Sequence, residues 1–496
     1  MRSTQWCGKA TRLLLAGAGL ITLLDPATRL VLGQTGGSPK RSGDAWEARA
    51  RLLPGENIFY SSVLDRDVGF SLVLGQPRSF GLLNSGRAAT TSHRTGLPAP
   101  SANSLELSNP GPAVITNDTF TNGAGTGLWS NGGNWSAGVP TSSNNVLITG
   151  TGSASKVIED INSTINNLTL KSSNSWTLNN GLLLAIDGNS ISNAGSMLMN
   201  STGGFVGLQI GSPYVTLSGG GTLTMSNNTA NTIFGTVTAD TLINQETIQG
   251  AGNIGLNRMT LVNSSTINAN QSAGLTIQAS GGAVNTGTIK ATAGTLTLSG
   301  TTVINTGGTI SASGGNALVV SSSTINGGTV TLAGASTLQL STGTVQNGTL
   351  NNSATGTIEA LSFTNNTLGG AISNPAGGVV KIDNGATLNL QGGSYPTLGA
   401  VTLNSTGNNT NLQVFGANTT LSGGSVTMSN ATQNFIFGSA TTDTLTNKET
   451  IQGAGNIGGN RMTLVNSGTI NASASAGLTI QANGGVTNTG TIKATA

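Results

Sequence analysis

The chain has 496 residues, of which 74 are glycine, 7% charged and 4% aromatic. Ordinary globular domains carry about a quarter charged residues, so a string of such domains is excluded. So is a disordered polyelectrolyte, because mean hydropathy is near zero and disorder needs low hydrophobicity with high charge.

The net charge of +3 arises at one end. Residues 1–100 hold twelve Lys/Arg against six Asp/Glu, and residues 101–496 hold eight against eleven. A nucleic-acid groove needs clustered cations interleaved with aromatic rings, and the long acidic part has neither. Cys7 is the single cysteine, which rules out a disulfide framework, a cysteine zinc site and a thiol nucleophile over the rest of the chain.

Arg2, Lys9 and Arg12 precede the apolar run from Leu13 to Leu24. A basic segment followed by about twelve apolar residues is the layout of a secretory signal and is too short to span a bilayer. Residues 1–34 are therefore expected to be an export signal, with cleavage near Ala27 or near Gly33-Gln34. Residues 35–116, rich in Pro, Ser, Arg and Gly, are expected to be a largely irregular linker or pro-region, with one hairpin around Val68–Leu74. His93, the only histidine, falls here and reads as a solvated loop residue.

From residue 117 to 496 the chain repeats on two scales. Residues 248–293 recur at 451–496, an offset of 203, with 39 of 46 positions identical. The block near 208–293 is thus duplicated at 412–496. Within it, an Asn-led turn precedes a short Thr-led strand at Asn244, Asn263, Asn285, Asn305, Asn326 and Asn347, with steps of 19, 22, 20, 21 and 21 residues. The turns return at Asn447, Asn466 and Asn488. A step of about 21 residues holds three short strands and three turns. The expected fold class is therefore all-β: a right-handed single-stranded parallel β-helix of about 18 coils, of the order of 85 Å long. Alternation places Ile289, Ala291, Leu296 and Leu298 inside and Thr288, Lys290, Thr295 and Thr297 outside. The nine turn asparagines are expected to stack as side-chain ladders, with glycine supplying positive φ at the turns.

The array opens on Trp129, Asn134-Trp135, Pro140 and Val146-Leu147-Ile148. This segment resembles the opening rung of secreted bacterial parallel β-helix proteins of the autotransporter-passenger and filamentous-haemagglutinin-like adhesin type. Trp129, Trp135 and Pro140 are the expected entry-rung cap, covering a bore that an open end would expose. The resemblance implies export, display at the cell surface or outer membrane or release outside the cell, and adhesion to host-cell, matrix or polysaccharide surfaces. That family's C-terminal β-barrel is absent from these residues. Ala496 aligns with Ala293, after which the first copy runs on, so the sequence reads as a fragment whose membrane anchoring lies in a missing C-terminal region.

Parallel β-helices also carry polysaccharide lyases and hydrolases. Glycoside cleavage needs two convergent carboxylates, and lyases need a base and usually carboxylate-bound calcium. Glu159 and Asp160 are adjacent, but strand neighbours face opposite sides. Asp240 and Asp443 are one position repeated, as are Glu246 and Glu449, which suits stacking or turns better than a unique site. No catalytic residue, metal ligand or cofactor is expected. The leading expectation is an adhesin or structural stalk; the alternative is a carbohydrate-binding or carbohydrate-active β-helix, with Asp187 to Asp240 as the region to inspect.

Overall fold

A computed structural model describes residues 114–150, 155–396 and 398–496, all within the compact unit Leu105–Ala496. The expected export signal, Cys7, the Val68–Leu74 hairpin and His93 lie outside the described residues.

Strands of mostly three to five residues alternate strictly. In Thr288–Ala291, Ile289 and Ala291 are fully buried while Thr288 and Lys290 are half-exposed. Parallel pairing then sets like on like. Thr266, Ile267, Asn268 and Ala269 lie under Thr288, Ile289, Lys290 and Ala291, which lie under Thr309, Ile310, Ser311 and Ala312. Each inward aliphatic side chain contributes about 1.5–3 kcal/mol by leaving water. Together they fill one continuous core from Phe120 to Ile470. Each coil completes the backbone hydrogen bonds of the one before, so the architecture propagates by nearest neighbours.

The result is a parallel β-solenoid of about 16 turns at about 22 residues per turn. The expected 18 coils of 21 residues were too many, because corner loops such as 201–205 and 404–409 lie outside the strands. Helix is confined, among the described residues, to the 3-10 turn Gly132–Asn134.

Three faces surround the bore. The first starts with Thr116–Thr119 and Asn144–Ile148, the second with Lys156–Glu159 and Ser175–Asn179, and the third with Ser163–Ile165 and Leu183–Ile186. The third is a sheet of 16 strands ending at Thr491–Ala494. The first and second fuse into one sheet of 29 strands. They meet where Thr344–Asn351, Asn365–Ser373, Thr387–Tyr395 and Thr410–Leu421 run through the corner, with register breaks at Val345/Gly348 and Gln391/Gly393.

The two copies of the duplicated block do not occupy the same faces. Thr241–Asn244 is on the first face, but its repeat Thr444–Asn447 continues the second. Thr222–Met225 is on the second face and Ser425–Met428 on the third. Asn231–Gly235 is on the third and Asn434–Gly438 on the first. The offset of 203 residues therefore spans nine coils and one further face. The second copy is turned one face round the bore.

Candidate interaction surface

Asn244, Asn263, Asn285 and Asn305 each stand two residues after an inward aliphatic residue (Leu242, Leu261, Ala283 and Val303), so alternation turns them inward as well. All four are fully buried. Nδ2 of Asn244 donates to Oδ1 of Asn263, Asn263 to Asn285, and Asn285 to Asn305, each at 2.7 Å. Every rung thus satisfies a buried amide that would otherwise cost free energy. In the second copy Asn447 donates to Asn466 and Asn466 to Asn488, again at 2.7 Å. Asn447 and Asn466 are buried and Asn488 is exposed.

Asn326 and Asn347 do not join the buried ladder. Asn326 follows the inward Ile325 directly, pairs with Ile304 across the coils and turns outward. Asn347, exposed at φ 57°, donates to Oδ1 of Asn326 at 2.7 Å. Asn305 ends its ladder on the carbonyls of Gly327 and Thr329 at 3.3 and 3.4 Å. The turn glycines also serve two purposes. Gly307 and Gly327 have positive φ, whereas Gly287 does not; a Cβ there would lie 2.2 Å from the Ser265 carbonyl.

The carboxylates are bound into the framework. Glu246 is buried; its backbone N–H donates to Asn244 Oδ1 at 3.2 Å and its Oε1 accepts from Asn193 Nδ2 at 2.7 Å. Glu449 repeats this, donating to Asn447 Oδ1 at 3.2 Å and accepting from the Gly424 N–H at 3.0 Å. Burial pushes both carboxyls up to about 7. Glu159 points inward, fully buried, accepting from Trp176 Nε1 at 2.8 Å and from the Ser163 hydroxyl. Burial raises it to about 8. Its neighbour Asp160 instead accepts from the Ser130 N–H and hydroxyl at 2.9 and 2.6 Å.

Asp240 clamps a turn by accepting from the N–H groups of Thr236 and Val237 at 2.7 and 3.0 Å. Asp443 does the same with Ala440 N–H and Ser439 Oγ at 2.9 and 2.7 Å. Lys381 lies 2.5 Å from Glu359 on the adjoining strand and 2.8 Å from Asp383 just past the end of its own. Among the described residues no three or more His, Cys, Asp or Glu side chains are grouped so as to hold a metal ion. No described helix is long and apolar enough to cross a membrane.

At the first coil, Trp129, Trp135 and Phe120 are buried and belong to the same core as the bore. The rings of Trp129 and Trp135 meet edge-on at 4.8 Å, and those of Phe120 and Trp135 at 5.1 Å. Trp135 Nε1 donates to the Trp129 carbonyl at 2.8 Å, and Pro140 is buried beside this segment in sequence. Phe120 bridges Trp135 in antiparallel sense, whereas Leu128 bridges Ile158 in parallel. The chain thus reverses against its own first rung.

Outward, the surface is repetitive and sparsely charged. On the second face Thr222, Thr247, Thr266, Thr288, Thr309, Thr329 and Thr349 stack in one unbroken column. A hollow of 370 Å³ is lined by Ser405, Thr406, Gly407, Asn430, Thr432 and Gln433. Asn430 spans two coils there, donating to Ser475 Oγ at 3.1 Å and accepting from Ala476 N–H at 2.8 Å. Asn227, Ser272 and Ala273 repeat those bonds in the first copy. The loop anchors also recur: Thr202 N–H donates to Asn180 and Thr406 N–H to Asn384, both at 2.8 Å. The structural duplication therefore reaches back to about residues 180 and 384. The offset is 204 up to Gly424 and 203 from Ser425, because the second copy has one residue fewer between Gly407 and Ser429. The chain matches no family model, no curated protein and no solved structure.

Proposed function

We propose that the chain is an exported β-helical passenger at the cell surface or outside the cell. It acts as an adhesin or structural stalk, in the manner of the autotransporter-type proteins its repeats resemble. It works through length and repeated surface rather than through a catalytic centre. The observation that carries this reading is the column of seven stacked threonines, part of a sparsely charged polar coat at coil spacing on an aliphatic bore. A surface of that kind offers many weak, equivalent hydrogen-bonding contacts, which sum by multivalency. The buried glutamates support the same reading, since Glu159, Glu246 and Glu449 are committed to inward hydrogen bonds.

The test is retention of the purified full chain on surfaces coated with polysaccharide or matrix protein, with polymer length and reducing ends followed in parallel. Retention without cleavage is the expected result. Release of reducing ends or unsaturated products would place the protein among carbohydrate-active β-helices instead.

A further inference from the structure

Each copy of the duplicated block carries the same outward column across four coils. In the first copy Gln209 lies under Phe234, Phe234 under Gly255, and Gln278 follows in the next coil. In the second, Gln413 lies under Phe437, Phe437 under Gly458, and Gln481 follows. Both columns thus read Gln, Phe, Gly, Gln, with no charged side chain.

The glycines are dictated by the next coil. A Cβ at Gly255 would lie 2.3 Å from the Gln278 carbonyl, and one at Gly458 would lie 2.2 Å from that of Gln481. Both glycines are buried beneath that contact. The neighbouring column adds a matching amide, with Asn253 Nδ2 donating to Gln278 Oε1 and Asn456 Nδ2 to Gln481 Oε1, both at 2.5 Å.

The accessible rings come from a different place in each copy. Phe234 is itself covered, at 7% exposure, and the ring that reaches the surface beside it is Phe205, which folds from its loop over Gly207, 45% exposed, 5.9 Å from Phe234. Phe435 stands on the same strand as Phe437, and both are half-exposed. Phenylalanine faces flanked by amides, without charge, suit the C–H face and hydroxyls of a neutral sugar ring.

We propose that these two columns with their accessible rings, Phe205 in the first copy and Phe435 and Phe437 in the second, are binding platforms for neutral polysaccharide strands, and that their placement makes one chain a bridge between two strands. The inference rests on the adhesive reading above and names its ligand class. The platforms are nine coils and one face apart, about 45 Å along the axis at about 4.8 Å per coil. Because they look out from adjacent faces, a single straight strand lying along the rod meets one platform and misses the other.

The experiment uses the full chain with three neutral glucans: hydroxyethyl cellulose, dextran and amylopectin. Affinity electrophoresis reads binding, calorimetry reads strands per chain, and light scattering reads cross-linking. At least one glucan should retard the protein, at two strands per chain, with growth of large particles. Gln209→Ala with Phe205→Leu should halve the stoichiometry and abolish particle growth, leaving the remaining platform's affinity unchanged. Gln413→Ala with Phe437→Leu should do the same. All four substitutions together should weaken retardation by about tenfold or more, the scale of a lost ring stack with a lost hydrogen bond. Gln209→Ala and Gln413→Ala alone, at outward half-buried positions, give the same ordering at smaller amplitude if a Phe variant fails to fold.

Unchanged binding by the folded fourfold variant overturns the inference, and so does complete loss of binding on disabling one copy. A chain that adheres to matrix protein but ignores all three glucans overturns it while leaving the adhesive reading standing. A chain that adheres to nothing overturns both.

Discussion

Glu246 reaches across two coils to Asn193, Oε1 to Nδ2 at 2.7 Å, and its own N–H holds the first amide of the Asn244 ladder. A glutamate therefore closes the end of a column of stacked asparagines inside the bore. Glu449 takes the same place under Asn447. Its carboxylate accepts from the Gly424 N–H instead of from an asparagine, so the two ladder ends are alike in position but differ in how the acid is held.

These acids make stability depend on pH. Burial raises Glu246 and Glu449 to about 7 and Glu159 to about 8. In the unfolded chain such groups ionise near about 4.3, so above that pH the folded state holds more protons and stability falls as pH rises. The contribution is complete below the unfolded pKa and is lost as pH passes through 7 and then 8. The unfolding free energy from denaturant titration should be higher near pH 5 than near pH 8.5, by of the order of 3 kcal/mol for each of Glu246 and Glu449. Glu246→Gln with Glu449→Gln should flatten that part of the profile; an unchanged slope would contradict the assignment.

Asn263 tests the ladder. Alanine there removes the acceptor of Asn244 and the donor to Asn285, leaving two buried polar groups unpaired. At about 1–3 kcal/mol for each orphaned group, Asn263→Ala should lower stability by roughly 2–5 kcal/mol in equilibrium unfolding. Asn326→Ala removes an outward, half-buried partner of an exposed residue and should cost less than about 1 kcal/mol. Equal effects would mean that the rungs contribute by volume alone.

The aromatic entry rung should act locally. Trp135→Ala removes two ring contacts and a buried hydrogen bond, a change of about 3–5 kcal/mol for such a truncation. In a solenoid each coil depends mainly on its neighbours. Hydrogen exchange should therefore accelerate in the strands Thr116–Thr119, Asn144–Ile148 and Lys156–Glu159 while amides around the Asn263 ladder keep their protection. Uniform acceleration along the chain would show that the whole array unfolds as one unit.

Gly250 is the sharpest corner test. Its φ is 122° and a Cβ would lie 1.9 Å from the Met225 carbonyl, so side chain and backbone conformation are both obstructed. Gly250→Ala should cost more than about 3 kcal/mol or abolish the native circular dichroism spectrum. Gly181→Ala has positive φ but open space around it and should cost about 1–2 kcal/mol. Comparable losses would remove the close approach as the cause.

Much of this architecture was written into local order. Alternation of apolar and polar residues fixes which side of a strand faces inward, because the side-chain period in a strand is two. Applied one step further, the same rule separates Asn305, two residues past Val303, from Asn326, immediately past Ile325. The distinction between buried and outward asparagines was therefore present in the sequence, though turn spacing alone did not reveal it. The inward direction of Glu159 follows from the same alternation after Val157.

Other features exist only once the chain is wound. Stacking partners lie some 22 residues apart, and which residue meets which depends on the summed length of every corner loop. That sum places Glu246 within reach of Asn193, brings Phe205 against Phe234 and sets Phe234 and Phe437 in matching columns. It also turns the second copy one face round the bore, since 203 residues fill nine coils and a third. Local sequence determined the strand and its inward side; the accumulated length of the winding decided the neighbours and the direction in which each outward surface looks.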